Sequence, residues 1–241
     1  MSMFHLILAE SALELVPNEI KGHPAVRNQA RRSGKKPIGE ILDGTFHHSA
    51  MRKLPDGEKR GRPDIIHLSL LIAQGSILNR QSHLRTYIHT LNDELIEVSP
   101  TTRLPRNIER FKGVMAQLLA KGEINSRSDD PQDEGAELLK LTKNMTVEKI
   151  LAKIAPDKIF VLNDDKEVTT MAAVLSEAGL HRKTLSKSNI VVMMGGFPHG
   201  DFQTDMTKIA DRVFSIYHEK LELWTVVANV LMDMERALGL Y

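Results

Sequence analysis

The chain has no cysteine. Disulfides, thiolate metal sites and cysteine nucleophiles are therefore excluded, which fits a reducing compartment. No apolar run approaches the roughly 18 residues of a membrane-spanning helix. Residues 1–10 have no basic stretch ahead of their apolar part and no small-residue cleavage site after it, so they read as a first strand rather than a secretory leader. These absences together lead us to expect a cytoplasmic protein with no membrane partner. Several chemical signatures are missing too. There is no Gly-x-Ser-x-Gly elbow for a hydrolase triad, no GxGxxG fingerprint and no P-loop. The histidines, including adjacent His47 and His48, form no set with zinc spacing, and no metal is expected.

What is present suffices for a full core: 241 residues, 41% hydrophobic and 26% charged, as one large domain or two small ones. The net charge of +1 hides an asymmetry. Between Lys21 and Arg62 there are eleven Lys or Arg against four Asp or Glu, a local net of +7, so the remainder sums to −6. Such a segment fits a polyanion partner; a solvated basic surface has the same composition.

Residues 4–8 read as a strand and 12–16 as a short element after it. Residues 24–32 look helical, with Arg27 and Arg31 four apart on one face. Gly34, Pro37, Gly39 and Gly44 interrupt the segment, and 55–63 is loop-like. Ile65, Ile66, Leu68, Leu71 and Ile72 suggest a buried helix, with Asp64 expected as its N-cap and Gly75 as its C-cap. Strands at 86–89 and 95–98 form an expected hairpin. Pro105 is expected to open a helix in its first turn. Residues 121–135 are polar and aperiodic and read as loop. Apolar runs at 158–162 and 190–194 are strands on either side of a helix at 170–177. A further strand is read at 213–217 and a last helix at 221–238. Strands alternating with helices in the second half predict an α/β fold with parallel pairing. The last helix is apolar on more than one face, which suits the core or a subunit interface.

Three constellations carry chemistry. On a helix, Ile108, Phe111, Met115, Leu118 and Leu119 converge on one face. Arg106, Arg110, Gly113 and Gln117 share the other, and Arg103 extends that row by one step. Guanidinium forks at spacings of three and four suit successive phosphates, although an ordinary solvated face has the same spacing. The second is Arg62-Pro63-Asp64-Ile65, either a helix cap or a carboxylate beside a guanidinium that accepts a proton or orients an N–H. The third is Val191-Val192-Met193-Met194-Gly195-Gly196-Phe197-Pro198-His199-Gly200. Here a strand runs into bare backbone, at the strand end where α/β folds bind nucleotide-like ligands; a plain strand-ending turn looks the same.

Taken together, several motifs resemble one family. They are Arg62-Pro63-Asp64-Ile65 with His67-x-Ser69-Leu70-Leu71, Leu78-Asn79-Arg80, Tyr87-Ile88-His89-Thr90 and Leu95-Ile96-Glu97-Val98. Thr102-Arg103-Leu104-Pro105-Arg106 with Arg110-Phe111, and Gly196-Phe197-Pro198-His199-Gly200, follow in order. The chain resembles the archaeal and eukaryotic ribosome-biogenesis branch of the SPOUT methyltransferases, which make N1-methylpseudouridine in small-subunit ribosomal RNA.

The resemblance implies a single α/β domain over 1–241. It has a parallel sheet with helices on both faces and a C-terminal trefoil knot, which ordinary connection rules would reject. A basic insertion lies at about 21–62. It implies a homodimer, S-adenosyl-L-methionine as methyl donor with S-adenosyl-L-homocysteine as product, and a ribosomal RNA hairpin loop as substrate. Other ribosome-assembly factors would be further partners. The cofactor would sit on backbone of three loops: after Leu162, at Gly195, Gly196 and Gly200, and from Ser215, Ile216 and Tyr217 to Leu221 and Trp224. Asp64 would accept or orient the ring N–H, and Arg62 would position the base or the carboxylate. Arg103, Arg106 and Arg110, with Arg62, would hold RNA. A SPOUT enzyme acting on transfer RNA or a ribose oxygen, and an assembly factor for which methylation is secondary, are the rival readings.

Overall fold

The structure, a computed structural model, describes residues 3–34, 36–126 and 135–241. Strand β1 (Met3–Ser11) is followed by α1 (Pro24–Ser33) and α2 (Gly44–Met51). Then come α3 (Pro63–Gly75), the short α4 (Ile77–Arg80), and the hairpin β2 (Leu84–Thr90) and β3 (Leu95–Val98). The middle of the chain gives α5 (Ile108–Lys121), β4 (Glu123–Asn125), β5 (Glu137–Thr142) and α6 (Val147–Ile154). The last third is β6 (Lys158–Leu162), α7 (Met171–Glu177), α8 (Arg182–Leu185), β7 (Asn189–Gly195), β8 (Arg212–Phe214) and α9 (Leu223–Leu238).

All strands join one sheet in the order β4-β5-β3-β2-β1-β7-β6-β8. The half from β2 to β8 is parallel. The half from β2 to β4 is antiparallel, so the sheet is mixed rather than wholly parallel. The hairpin causes the switch: a tight connection reverses the chain, whereas parallel neighbours need a crossover. Asp93, with φ at +53°, supplies the turn.

Alternation along β1 divides the core between the sheet's faces. Phe4, Leu6 and Leu8 pack on the side of α3, α5, α7 and α9, whereas Ile7 and Ala9 meet α6 on the other. Helices therefore cover both faces, as expected. A separate small core of Val16, Ile20, Val26, Leu42, Ala50, Met51 and Leu54 holds the basic segment together.

Several expectations change. Residues 12–16 form no regular element; Leu15 makes one isolated bridge to Ile41. Asp64 is not the cap of α3. Pro63 takes the first helical position, and Arg62 precedes it without a side-chain cap bond. Gly75 is the last helical residue, and Ser76 caps both α3 and α4. Pro105 does not open α5. Asn107 does, its side chain accepting from the Arg110 amide at 3.1 Å, because an amide oxygen satisfies a first-turn N–H that proline cannot help. The strand expected at 213–217 is β8 and stops at Phe214. Within the loop expected at 121–135, β4 pairs with β5; residues 127–134 of that loop lie outside the described residues.

Candidate functional site

The C-terminal ends of the parallel strands β6, β7 and β8 open into a cleft of about 340 Å³, a volume suited to a small molecule. Its walls include Leu162, Met194, Ile216, Leu221 and Val226, with backbone of Gly195 and Gly200. The three loops clasp one another. The Asn163 amide donates to the Phe214 carbonyl, and the Asn163 side chain donates to Asp201 Oδ1 at 2.9 Å. Lys220 Nζ donates to the Pro198 carbonyl at 2.8 Å. Ser215 Oγ donates to the Tyr217 carbonyl at 2.7 Å, turning the third loop back on itself.

Of the residues expected to touch a cofactor, Leu162, Gly195, Gly200, Ser215, Ile216, Tyr217 and Leu221 line this cleft. Gly196 and Trp224 do not. Gly196 is a glycine for packing: a Cβ there would lie 2.2 Å from Ser11 Oγ and 2.9 Å from Ser11 Cα. Trp224 packs instead against the main core. The lining that the sequence reading missed includes Asn163, Phe197 and four carboxylates, Asp164, Asp201, Glu219 and Glu222. The polar run Asn163-Asp164-Asp165 straight after an apolar strand was the available signal.

Arg62 also lines the cleft. Its Nε and Nη2 donate to Oδ1 and Oδ2 of Asp64 at 2.9 and 2.8 Å. Asp64 is not itself in the lining; it reaches the cleft through this half-exposed pair. The donated bonds, which outweigh the cost of burial, hold the guanidinium of Arg62 above its usual pKa.

Arg103, Arg106 and Arg110 are exposed, and among the described residues none of their side chains has an ion pair or hydrogen-bond partner. Only Arg110 lies on α5, so Arg103 and Arg106 are presented by the approach loop and not by helical spacing. That loop is tied down by three buried side chains. His67 Nε2 donates to the Pro105 carbonyl at 2.7 Å and its ring stacks on Phe111. Asn79 donates to the Pro100 carbonyl at 3.0 Å, and Thr102 Oγ1 to the Leu138 carbonyl at 2.7 Å. Since His67 and Asp64 share α3, the helix that carries the Arg62–Asp64 pair also anchors the arginine loop. α5 itself is fixed by buried Lys112, which meets Asp43 at 2.7 Å and sits over the Phe46 ring. His47 is buried within the basic segment with Nδ1 accepting from the Asp43 amide, and no cluster of metal-ligating side chains exists among the described residues.

The family model described as EMG1/NEP1 methyltransferase matches residues 6–235. The chain belongs to the EMG1/NEP1 methyltransferase family. Its relatives within this family include two proteins named ribosomal RNA small subunit methyltransferase Nep1. That of Thermococcus kodakarensis is 46% identical over 238 residues, covering 99% of this chain and 100% of the relative. That of Pyrococcus furiosus is 44% identical over 231 residues, covering 96% of each. The fold is similar to the crystal structure of Archaeoglobus fulgidus Nep1 bound to S-adenosylhomocysteine. The TM-score is 0.79 at 33% identity, over 100% of this chain and 99% of the other. Membership of the EMG1/NEP1 family agrees with the resemblance carried by the motifs. No helix among the described residues is long and apolar enough to cross a membrane.

Proposed function

We propose that the chain methylates small-subunit ribosomal RNA at N1 of a pseudouridine, with S-adenosyl-L-methionine as donor. The observation that carries this reading is the cleft at the parallel strand ends, bordered by the Arg62–Asp64 pair, in a fold shared with Nep1 bound to S-adenosylhomocysteine. The cleft's chemistry fits the donor. Apolar Leu162, Met194, Ile216 and Leu221 can face its uncharged parts, and four carboxylates complement its positive charges. When bound, the donor supplies an electrophilic methyl group.

The chain's own residues divide the remaining work. Pseudouridine carries a ring N–H that uridine lacks. Both Asp64 oxygens already accept from Arg62, yet each retains a lone pair, so the carboxylate can orient or accept that third N–H. Arg62 fixes the carboxylate beside the cleft. Arg103, Arg106 and Arg110 hold the backbone of an RNA hairpin loop, where an unpaired base is accessible. Correct placement brings the reacting nitrogen and carbon within roughly 3–3.5 Å.

The rest of the architecture is read in the same way. We infer one domain over 1–241 carrying a basic insertion at about 21–62, supported by the separate small core of that segment. A knotted C-terminal chain is supported by the spatial order β7-β6-β8 and by the way residues 163–169 lap over Ser215, which donates to Glu167 and accepts from Thr169. A homodimer is supported by the exposed Met232 on α9 and Leu68 on α3. Incubation with labelled S-adenosyl-L-methionine and paired RNA hairpins, identical but for uridine or pseudouridine at one site, tests the function. Label should enter the pseudouridine hairpin alone. Equal labelling of both overturns the N1 assignment.

A further inference from the structure

Lys59 is an unusual lysine. It is 9% exposed, and no carboxylate lies within ion-pair distance of its Nζ among the described residues. Lysine is almost never buried without a counter-charge, because desolvating an ammonium is costly. Here Nζ donates to the Asp201 carbonyl and stands 4.9 Å from the centre of the Phe197 ring. Its stem packs so closely on Gly200 that a Cβ there would lie 2.7 Å from Lys59 Cε. All three partners, Phe197, Gly200 and Asp201, form the cleft wall.

The base of this strut is rigid. Next to Lys59, Arg60 is held by a bidentate pair with Glu14, both bonds at 2.6 Å. Ahead of it, Asp56 accepts from the Gln203 side chain at 3.4 Å, while the backbone amides of Gln203 and Thr204 donate to buried Glu10 at 2.6 and 2.9 Å. The far end of the wall is equally placed: Asp201 accepts from Asn163 on the neighbouring loop. A chain of contacts therefore runs from the basic segment through Lys59 and Asp201 to the loop after β6.

We propose that Lys59 is a positioning residue for the cofactor: the basic segment lends a buried ammonium that fixes the 197–201 wall, so the cleft is incomplete without it. This rests on the cofactor assignment made above. An apolar side chain of the same length would fill the space without the desolvation cost, so the charge is held for what it grips.

The test is calorimetric titration of the full chain with S-adenosyl-L-homocysteine. Lys59→Met keeps the stem and removes the donor and the charge. Loss of one charge-assisted bond should weaken binding by about tenfold, with RNA-hairpin affinity within about twofold of wild type. Amide exchange at 197–203 should accelerate, and Lys59→Arg, which restores a donor, should recover most of the affinity. Should Lys59→Met fail to fold, Lys59→Gln, neutral and shorter, replaces it with the same expectation. Unchanged affinity in the variant overturns the proposal. So does a loss of ligand, RNA and thermal stability together that arginine does not rescue, since that marks a purely structural role. A wild type that binds no ligand instead overturns the cofactor assignment itself.

Discussion

Arg62 places both of its forward-facing donors on Asp64, and the pair stands at the rim of the cleft on the first turn of α3. The relationship constrains what Asp64 can do. The pair holds it at the rim, so the substrate meets it there. Asp64→Asn keeps the shape but replaces one acceptor by a donor that opposes Arg62. Methylation should fall by about 100-fold or more, the usual worth of a positioned proton acceptor, while hairpin affinity changes far less. Single-turnover methylation beside equilibrium RNA binding separates the two; equal losses in both would remove Asp64 from the chemistry.

Among the described residues Arg106 and Arg110 have no side-chain partner to lose, so their truncation should not destabilise the fold. Arg106→Ala and Arg110→Ala should each weaken hairpin binding and lower the slope of log affinity against log salt by about 1, the signature of one lost phosphate contact. An unaltered slope would mark a merely solvated face.

The Asp43–Lys112 pair, with side chains 12% and 11% exposed, anchors α5 to the basic segment. Lys112→Met strands the buried Asp43 carboxylate and should cost about 3–5 kcal/mol; Asp43→Asn should cost less, because Lys112 keeps Glu109 at 2.7 Å. The pH dependence has a definite sign. Burial pushes the Asp43 carboxyl up, but hydrogen bonds from Lys112 and Thr45 prevail and hold it below its ordinary 3.8. Burial likewise pulls Lys112 down, and its bonds to Asp43 and Glu109 raise it above 10.5. A lowered carboxyl stabilises above its unfolded value and loses that contribution as pH falls through the folded one; a raised ammonium does the reverse at high pH. Urea melts of wild type and Asp43→Asn should therefore differ most between about pH 4 and pH 10 and converge in acid.

Gly196, outside the cleft lining, carries a backbone requirement. In Gly196→Ala the new methyl meets Ser11 backbone and side chain inside a buried strand junction, and the 195–200 loop must move. Overpacking of this kind costs about 1–3 kcal/mol. Both the melting temperature and S-adenosyl-L-homocysteine affinity should drop, and calorimetry on the variant checks it. A variant that melts and binds like wild type would mean that the junction has slack.

Much of the site was legible before the fold was known, for identifiable reasons. The 3.6-residue rhythm of Phe111, Met115, Leu118 and Leu119 located α5, though not its start, because one buried face is enough to specify a helix. The same rhythm in Val147, Ile150, Leu151 and Ile154 marks α6, which went unread although Thr146 caps it. β5 escaped because Glu137-Leu138-Leu139-Lys140-Leu141-Thr142 shows no clean apolar–polar alternation.

The sequence by itself determined the strand and helix types along most of the chain, the backbone-rich glycine loop and the charge of the basic segment. All of these depend on neighbours in the chain. Through its motifs it also determined the family. Only the tertiary structure decided what meets across the chain. It placed Arg103 and Arg106 on a loop strapped down by His67, turned half of the sheet antiparallel, and left Gly196 and Trp224 out of the cleft. It also set Lys59 against a wall 142 residues away. The physical reason is the same in each case: a side chain's pattern says whether it must be buried, but its partner is fixed by which strands end side by side.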